Sequence, residues 1–146
     1  MNTDDPMLIQ ELRRDEGVRY EPYLDTVKVW TIGVGHNMQT SPLPKDWTIP
    51  LTDAQVNTLL AKDLTMVFSD LDRKLPWWRS LSYARQRVMA NMCFNLGING
   101  LGTFVNTLAL INAGRYKDAS IGMLSSKWAR QVGDRAKRLA TMMEQG

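Results

Sequence analysis

Apolar positions recur at helical spacing along most of this chain and alternate in only one short stretch. Leu8, Ile9 and Leu12 fall on one face of a helix. Asp4-Asp5 ahead of Pro6 supplies an N-cap and a proline for the first turn. Gly17 is placed to end that helix in a left-handed conformation, so Glu16 falls on its last turn. From residue 18 the period changes. Trp30, Ile32 and Val34 step by two, and Tyr20, Tyr23 and Val29 are further β-formers. With Asp25-Thr26 as a turn, residues 18–36 read as a β-hairpin. Pro42, Pro44 and Pro50 break up residues 37–51, which read as a loop with one short strand near 47–49.

Helical spacing then returns. Thr52 followed by Gln55 forms a capping box. Val56, Leu59, Leu60, Leu64, Val67, Phe68 and Leu71 make one long stripe, ended near Lys74 by Pro76. Ser82 opens a helix whose stripe is Val88, Met89, Met92, Cys93 and Leu96, ended by Gly97. Phe104, Leu108 and Ile111 mark the next helix, up to Gly114. Tyr116, Ala119, Ile121 and Leu124 mark another. Tandem Trp77-Trp78 is read as packing rather than as a sugar platform. The whole is a mostly helical α+β pattern.

Composition narrows the choices. At 146 residues the chain fits one compact domain or two small lobes. No apolar run approaches the roughly 20 residues of a membrane span. The N-terminus, MNTDDPMLIQ, has no apolar signal core and so is not a classical secretory signal. Cys93, the single cysteine, lies in an apolar helical stretch and reads as core. One His and one Cys make a zinc site improbable, and no phosphate-binding or cofactor motif appears, so none is expected. Charge is uneven. Residues 1–75 hold 8 Lys/Arg against 12 Asp/Glu, and residues 76–146 hold 10 against 3. A basic half attracts polyanions, which include wall polymers and anionic outer-membrane surfaces. Nothing in 82–114 reads as a recognition helix for nucleic acid, and a monomer is expected.

The candidate chemistry sits where the period changes. Glu16, Asp25 and Thr31 place two carboxyls and a hydroxyl on a helix end and a hairpin. Glycoside cleavage needs a carboxyl to protonate the leaving oxygen and a carboxylate to work with a held water. A helix C-terminus favours the protonated state of a carboxyl, which suits an acid.

The spacing is specific. Glu, eight residues, Asp, five residues, Thr, then Gly33-Val34-Gly35-His36 resembles the catalytic region of the phage-type lysozymes, the endolysin muramidases. The resemblance runs from Met7 to Met143. It implies a two-lobed fold: a small lobe at about 17–52, a linking helix at 53–74, and a helical lobe at 77–146 carrying the N-terminal helix. It implies hydrolysis of the β-1,4 bond between N-acetylmuramic acid and N-acetylglucosamine in bacterial peptidoglycan during host lysis, by a protein made in the host cytoplasm that acts on the periplasmic wall after release. Glu16 is then the acid, and Asp25 with Thr31 holds the water, with inversion at carboxyl separations of roughly 6.5–9.5 Å. The resemblance also implies that Asn37, Phe94, Asn95 and Thr107 bind substrate, with Asn95 standing where better-known relatives have Gln. It implies a His36–Asp63 ion pair, a buried Trp128, and Arg135 reaching Glu16. Lys137 and Arg138 read as a solvated face. Two rivals stay open: a lytic transglycosylase, which Asp25 and Thr31 argue against, and a cationic wall- or membrane-binding module with vestigial catalysis.

Overall fold

The computed structural model describes residues 1–146. It contains seven α-helices and one three-stranded antiparallel sheet. The chain divides into two compact units, Asn2–Met66 and Val67–Gly146, with Met1 grouped in the second.

The first unit begins with α1, Pro6–Glu16. The Asp5 carboxylate accepts the Leu8 N–H at 3.0 Å, as an N-cap does. Gly17 ends the helix at φ 77°, but its ψ of 168° is extended. The chain therefore leaves directly into a strand rather than curling through a left-handed cap. Strands β1 (Arg19–Leu24), β2 (Trp30–Gly33) and β3 (His36–Asn37) follow in the order β1-β2-β3. The expected hairpin thus gains a third strand, added by the turn through Gly33–Gly35. No strand forms at 47–49. Prolines flank that segment and withhold backbone donors, and the loop ties to the sheet after it, where Leu51 N–H donates to the Tyr20 carbonyl at 2.9 Å.

Helix α2, Asp53–Lys74, starts on the expected capping box. Thr52 N–H meets Gln55 Oε1 at 3.0 Å, and Gln55 N–H meets Thr52 Oγ1 at 3.1 Å. Its stripe is buried at Val56, Leu59, Leu60, Leu64, Phe68 and Leu71. Leu8, Leu12, Ile32, Val34 and Leu51 complete the buried apolar set of the first unit.

The second unit continues through a short 3-10 helix, Pro76–Ser80, into α3 (Tyr83–Gly102). Trp78 is fully buried beside Phe68, ring centroids 5.3 Å apart, which bears out packing as its role. Gly97 takes φ 72° and ψ 163° and breaks α3 internally, where a helix end was expected. Helices α4 (Val105–Asn112), α5 (Tyr116–Leu124), α6 (Lys127–Val132) and α7 (Asp134–Gln145) complete the unit. On α5 the expected face is wrong. Ile121 and Leu124 are exposed, and Ala119, Ser120 and Met123 are buried. Ser120 tolerates burial because its hydroxyl donates to the Lys117 carbonyl at 2.7 Å. Cys93 is core, with its thiol pushed up to about 12 by burial and, secondarily, by Asp70. No single helix is long and apolar enough to cross a membrane.

Candidate active site

Glu16, Asp25 and Thr31 all belong to the first unit, and polar contacts hold their elements in place. Arg13 of α1 reaches Asn57 Oδ1 at 2.9 Å and Asp53 Oδ1 at 2.8 Å on α2. The Tyr20 hydroxyl of β1 donates to the same Asp53 oxygen at 2.7 Å. Asp53 therefore gathers the helix that ends in Glu16 and the strand that leads to Asp25. Its carboxyl is held below the ordinary range, first by Tyr20 and then by Arg13. The Tyr20 phenol is raised, first by its hydrogen bond to Asp53.

Asp25 and Thr31 meet through Val29. Asp25 Oδ1 accepts the N–H groups of Val27 at 2.9 Å and Val29 at 2.8 Å. Asp25 N–H in turn donates to the Val29 carbonyl at 3.0 Å, and Thr31 Oγ1 donates to that same carbonyl at 2.9 Å. The turn thus uses Asp25 structurally, as turn aspartates commonly are, and Asp25 and Thr31 share Val29 as a common partner. Thr31 has given its one proton to Val29. Its oxygen faces any further partner as an acceptor.

Thr31 also sits mid-row in the sheet. Tyr23 stands opposite it on β1, and Asn37 stands opposite it on β3. Opposed residues share a face, with Cβ atoms roughly 4.5–5.5 Å apart. Tyr23 was read from sequence only as a β-former. Here it is the one residue of β1 that is not exposed. Burial is the main cause that raises its phenol pKa. Arg19 opposes this, and the charges of Glu16 and Asp25 add to it. Both candidate carboxyls therefore act on one phenol. The Arg19 guanidinium lies 5.0 Å from its ring centroid. The sequence signal was available: Tyr23 lies two residues before Asp25, on the same side of the strand. Asn37 turns its Oδ1 to the N–H groups of Gln39 at 2.9 Å and Thr40 at 3.1 Å.

His36 pairs with Asp63 as expected, Nδ1 to Oδ2 at 2.7 Å, while Nε2 lies 2.7 Å from the Ser41 carbonyl. Both ring nitrogens face oxygen acceptors, an arrangement that the doubly protonated, cationic ring satisfies in full. Its pKa is raised, first by the Asp63 hydrogen bond and against the opposing effect of burial. The contact ties β3 to α2 and to the loop at Ser41, a bracing role rather than a catalytic one.

The residues expected to bind substrate from the second unit have defined surroundings. Asn95 Oδ1 accepts the indole N–H of Trp128 at 2.7 Å. Trp128 itself is buried, as expected, and Phe94 is half-buried. Thr107 is only 7% exposed, and a Cβ placed on Gly122 would lie 2.6 Å from its Oγ1. It is a seam residue between α4 and α5, packed into the space that a side chain at 122 would need. Arg135 is buried, and its Nε donates to Asn91 Oδ1 at 3.0 Å. Arg138 is half-buried rather than solvated. Lys137 is exposed, 3.8 Å from Asp134.

Comparison with known families places the arrangement. The phage lysozyme family model matches residues 13–144. This chain belongs to the phage lysozyme family. It is 26% identical to a probable T4-type lysozyme 1 of Dictyostelium discoideum, over 92% of each chain. It is 30% identical to the SAR-endolysin of Enterobacteria phage P21, over 88% of this chain and 73% of that one. It is also 28% identical to the pre-baseplate central spike protein Gp5 of Enterobacteria phage T4, over 95% of this chain. The chain spans only 28% of that spike protein's length, so the likeness is to one part of it. By family, the chain is a peptidoglycan hydrolase of the lysozyme type.

Proposed function

We propose that this lysozyme-family chain hydrolyses the β-1,4 bond from N-acetylmuramic acid to N-acetylglucosamine, with inversion, as an endolysin acting on the bacterial wall. Glu16 donates its proton to the glycosidic oxygen as the bond breaks. A water on the other face of the sugar gives one proton to Asp25 and directs its second to Thr31 Oγ1. Its remaining lone pair attacks the anomeric carbon. The observation that carries this reading is the knot at Val29, the partner that Asp25 and Thr31 share, with the Thr31 proton already committed to its carbonyl. A hydroxyl in that state can only accept from a water, which orients the water's lone pair outward. Tyr23, acted on by both Glu16 and Asp25, adds support that the acid and the base share one neighbourhood.

The test is Glu16→Gln, which removes the transferable proton and keeps the shape. Clearing of purified cell wall falls by about 10²–10⁴-fold, on the scale of a lost general acid, while the thermal melt is unchanged. Mass spectrometry of the wild-type digest gives hydrated reducing ends, and NMR of fresh product gives the inverted anomer. Anhydro ends would assign the chain to the transglycosylases instead. Full killing by Glu16→Gln would leave only a cationic binder.

A further inference from the structure

The site's three named residues leave Tyr23 unaccounted for. It is held on one side by the sheet register, opposite Thr31, and Arg19 stacks on its ring at 5.0 Å. It is half-buried in a strand whose other residues are exposed, including the larger-than-average apolar Leu24 at 50%. Tyr23 and Leu24 point to opposite faces of β1, and the tyrosine's face is the one that carries Thr31. Two carboxyls, Glu16 from the end of α1 and Asp25 from the turn, act on its phenol. Arg19 and Tyr23 also line a surface depression of about 310 Å³ with Val18, Tyr20 and Pro22, so the pair is reachable from solvent.

We propose that Tyr23 is a positioning residue for hydrolysis: its ring closes the side of the water position formed by Asp25 and Thr31, its hydroxyl serves as a neutral hydrogen-bond donor to the acidic pair, and Arg19 holds the ring in place. This rests on the assignment of Glu16 as acid and of Asp25 with Thr31 as water-holder. The physical logic is short. Thr31 offers the water an acceptor and Asp25 offers it a base, and neither restrains it from the β1 side. Tyr23 is the side chain the register puts there. Burial disfavours the phenolate, and the Glu16 and Asp25 charges add to this against the opposing Arg19, so the phenol holds its proton more firmly than a free tyrosine does. A protonated phenol stabilises whichever neighbouring carboxyl carries charge. The charged groups acting on it are Glu16 from α1, Arg19 on its own strand and Asp25 from the turn.

The experiment compares wild type, Tyr23→Phe and Tyr23→Leu on purified peptidoglycan, with Glu16→Gln as the reference for abolished chemistry. Tyr23→Phe keeps the ring and removes the donor. Its kcat falls about three- to tenfold at unchanged KM, and the acidic limb of its kcat/KM profile moves to higher pH. Tyr23→Leu removes the ring as well and lowers kcat further, about 30- to 100-fold, with hydrated product ends retained. Arg19→Met, which frees the ring, reproduces the Phe variant's direction, and Arg19→Lys restores most of the loss. Superimposable pH profiles and kcat for wild type and Tyr23→Phe overturn the proposal, as does a rise in KM alone. If Tyr23→Leu fails to fold, the Phe variant and the Arg19 pair still decide. Should Glu16→Gln stay active, the hydrolytic reading fails. Should it be inactive while Tyr23→Phe matches wild type, only the role of Tyr23 fails.

Discussion

In the sheet-bearing unit, residues far apart in sequence meet through charged hydrogen bonds: Arg13 and Tyr20 on Asp53, His36 on Asp63 and Ser41. In the helical unit, the ion pairs Arg115–Asp118 and Asp134–Lys137 join residues one turn apart on single helices. There the joining of helices is shared: Arg135 on Asn91, Trp128 on Asn95 and Arg85 on the Met143 carbonyl span long sequence distances, around a core in which Ile111, Met123, Leu139 and Met143 are buried to 1% exposure or less. The contrast follows from size. Three strands, one of them two residues long, cannot bury enough apolar surface to fix themselves. Apolar contact is also non-directional, whereas a charged hydrogen bond sets an angle and a distance. The small sheet, with little apolar surface of its own, leans most on the directional kind.

The largest effect is expected where packing alone carries the load. Met123→Ala on α5 empties a site with no solvent exposure and costs about 2–5 kcal/mol, read as a fall in the urea midpoint. At 20 °C, with the variant still folded, its rate of wall clearing per folded molecule equals wild type. A loss of rate in proportion to the loss of stability would mean that the helical unit's packing tunes the chemistry, and the contrast would break.

A smaller effect, and one that depends on pH, is expected at His36. Its folded pKa lies above the unfolded value of 6.5, with the Asp63 hydrogen bond the first cause. The stabilisation is therefore fully present below the unfolded pKa and fades as pH rises through the folded one. Asp63→Asn costs about 1.5–3 kcal/mol at pH 5.5, the scale of a hydrogen bond to a charged group, and less as pH rises past the folded pKa. In the same variant the His36 ring protons titrate at a lower pH by NMR. A stability gap that is flat with pH would show that the ring is held by shape alone.

Much of this was legible in the chain. Period and capping gave α1, the alternating stretch and α2, because Pro6, Gly17, Thr52 and Gln55 act locally. The Glu16, Asp25 and Thr31 spacing was legible because a helix end and a turn fix it over a few residues. What stayed hidden depends on contacts that composition does not encode. Ile121 outranks Ser120 in hydropathy, yet the stripe that packs is 119, 120 and 123, because a serine can satisfy its own hydroxyl on the helix. Arg138 looked solvated because Lys137 beside it is. Neighbours on a helix point about 100° apart, so a run of basic residues spans more than one environment. Thr107 matched a binding position by register, and only the bare Gly122 beside it shows that its hydroxyl is packed away.

The smallest expected effect is at the tip of the hairpin. Lys28 carries φ 63°, the only non-glycine residue with positive φ. Its N–H closes the turn on the Asp25 carbonyl at 3.0 Å, and its side chain is exposed. A β-carbon in that conformation costs about 1–2 kcal/mol. Glycine removes the clash but adds freedom to the unfolded chain, which takes back roughly 0.5–1 kcal/mol. Lys28→Gly therefore stabilises by about 0.5–1 kcal/mol in urea melts. The consequence for the contrast lies in the rate. If directional contacts through Val29 set the Asp25–Thr31 geometry, easing the turn leaves wall clearing unchanged. If clearing drops as stability rises, the strain at Lys28 is itself holding Asp25 in register, and the hydrogen bonds to Val27 and Val29 follow the turn rather than setting it.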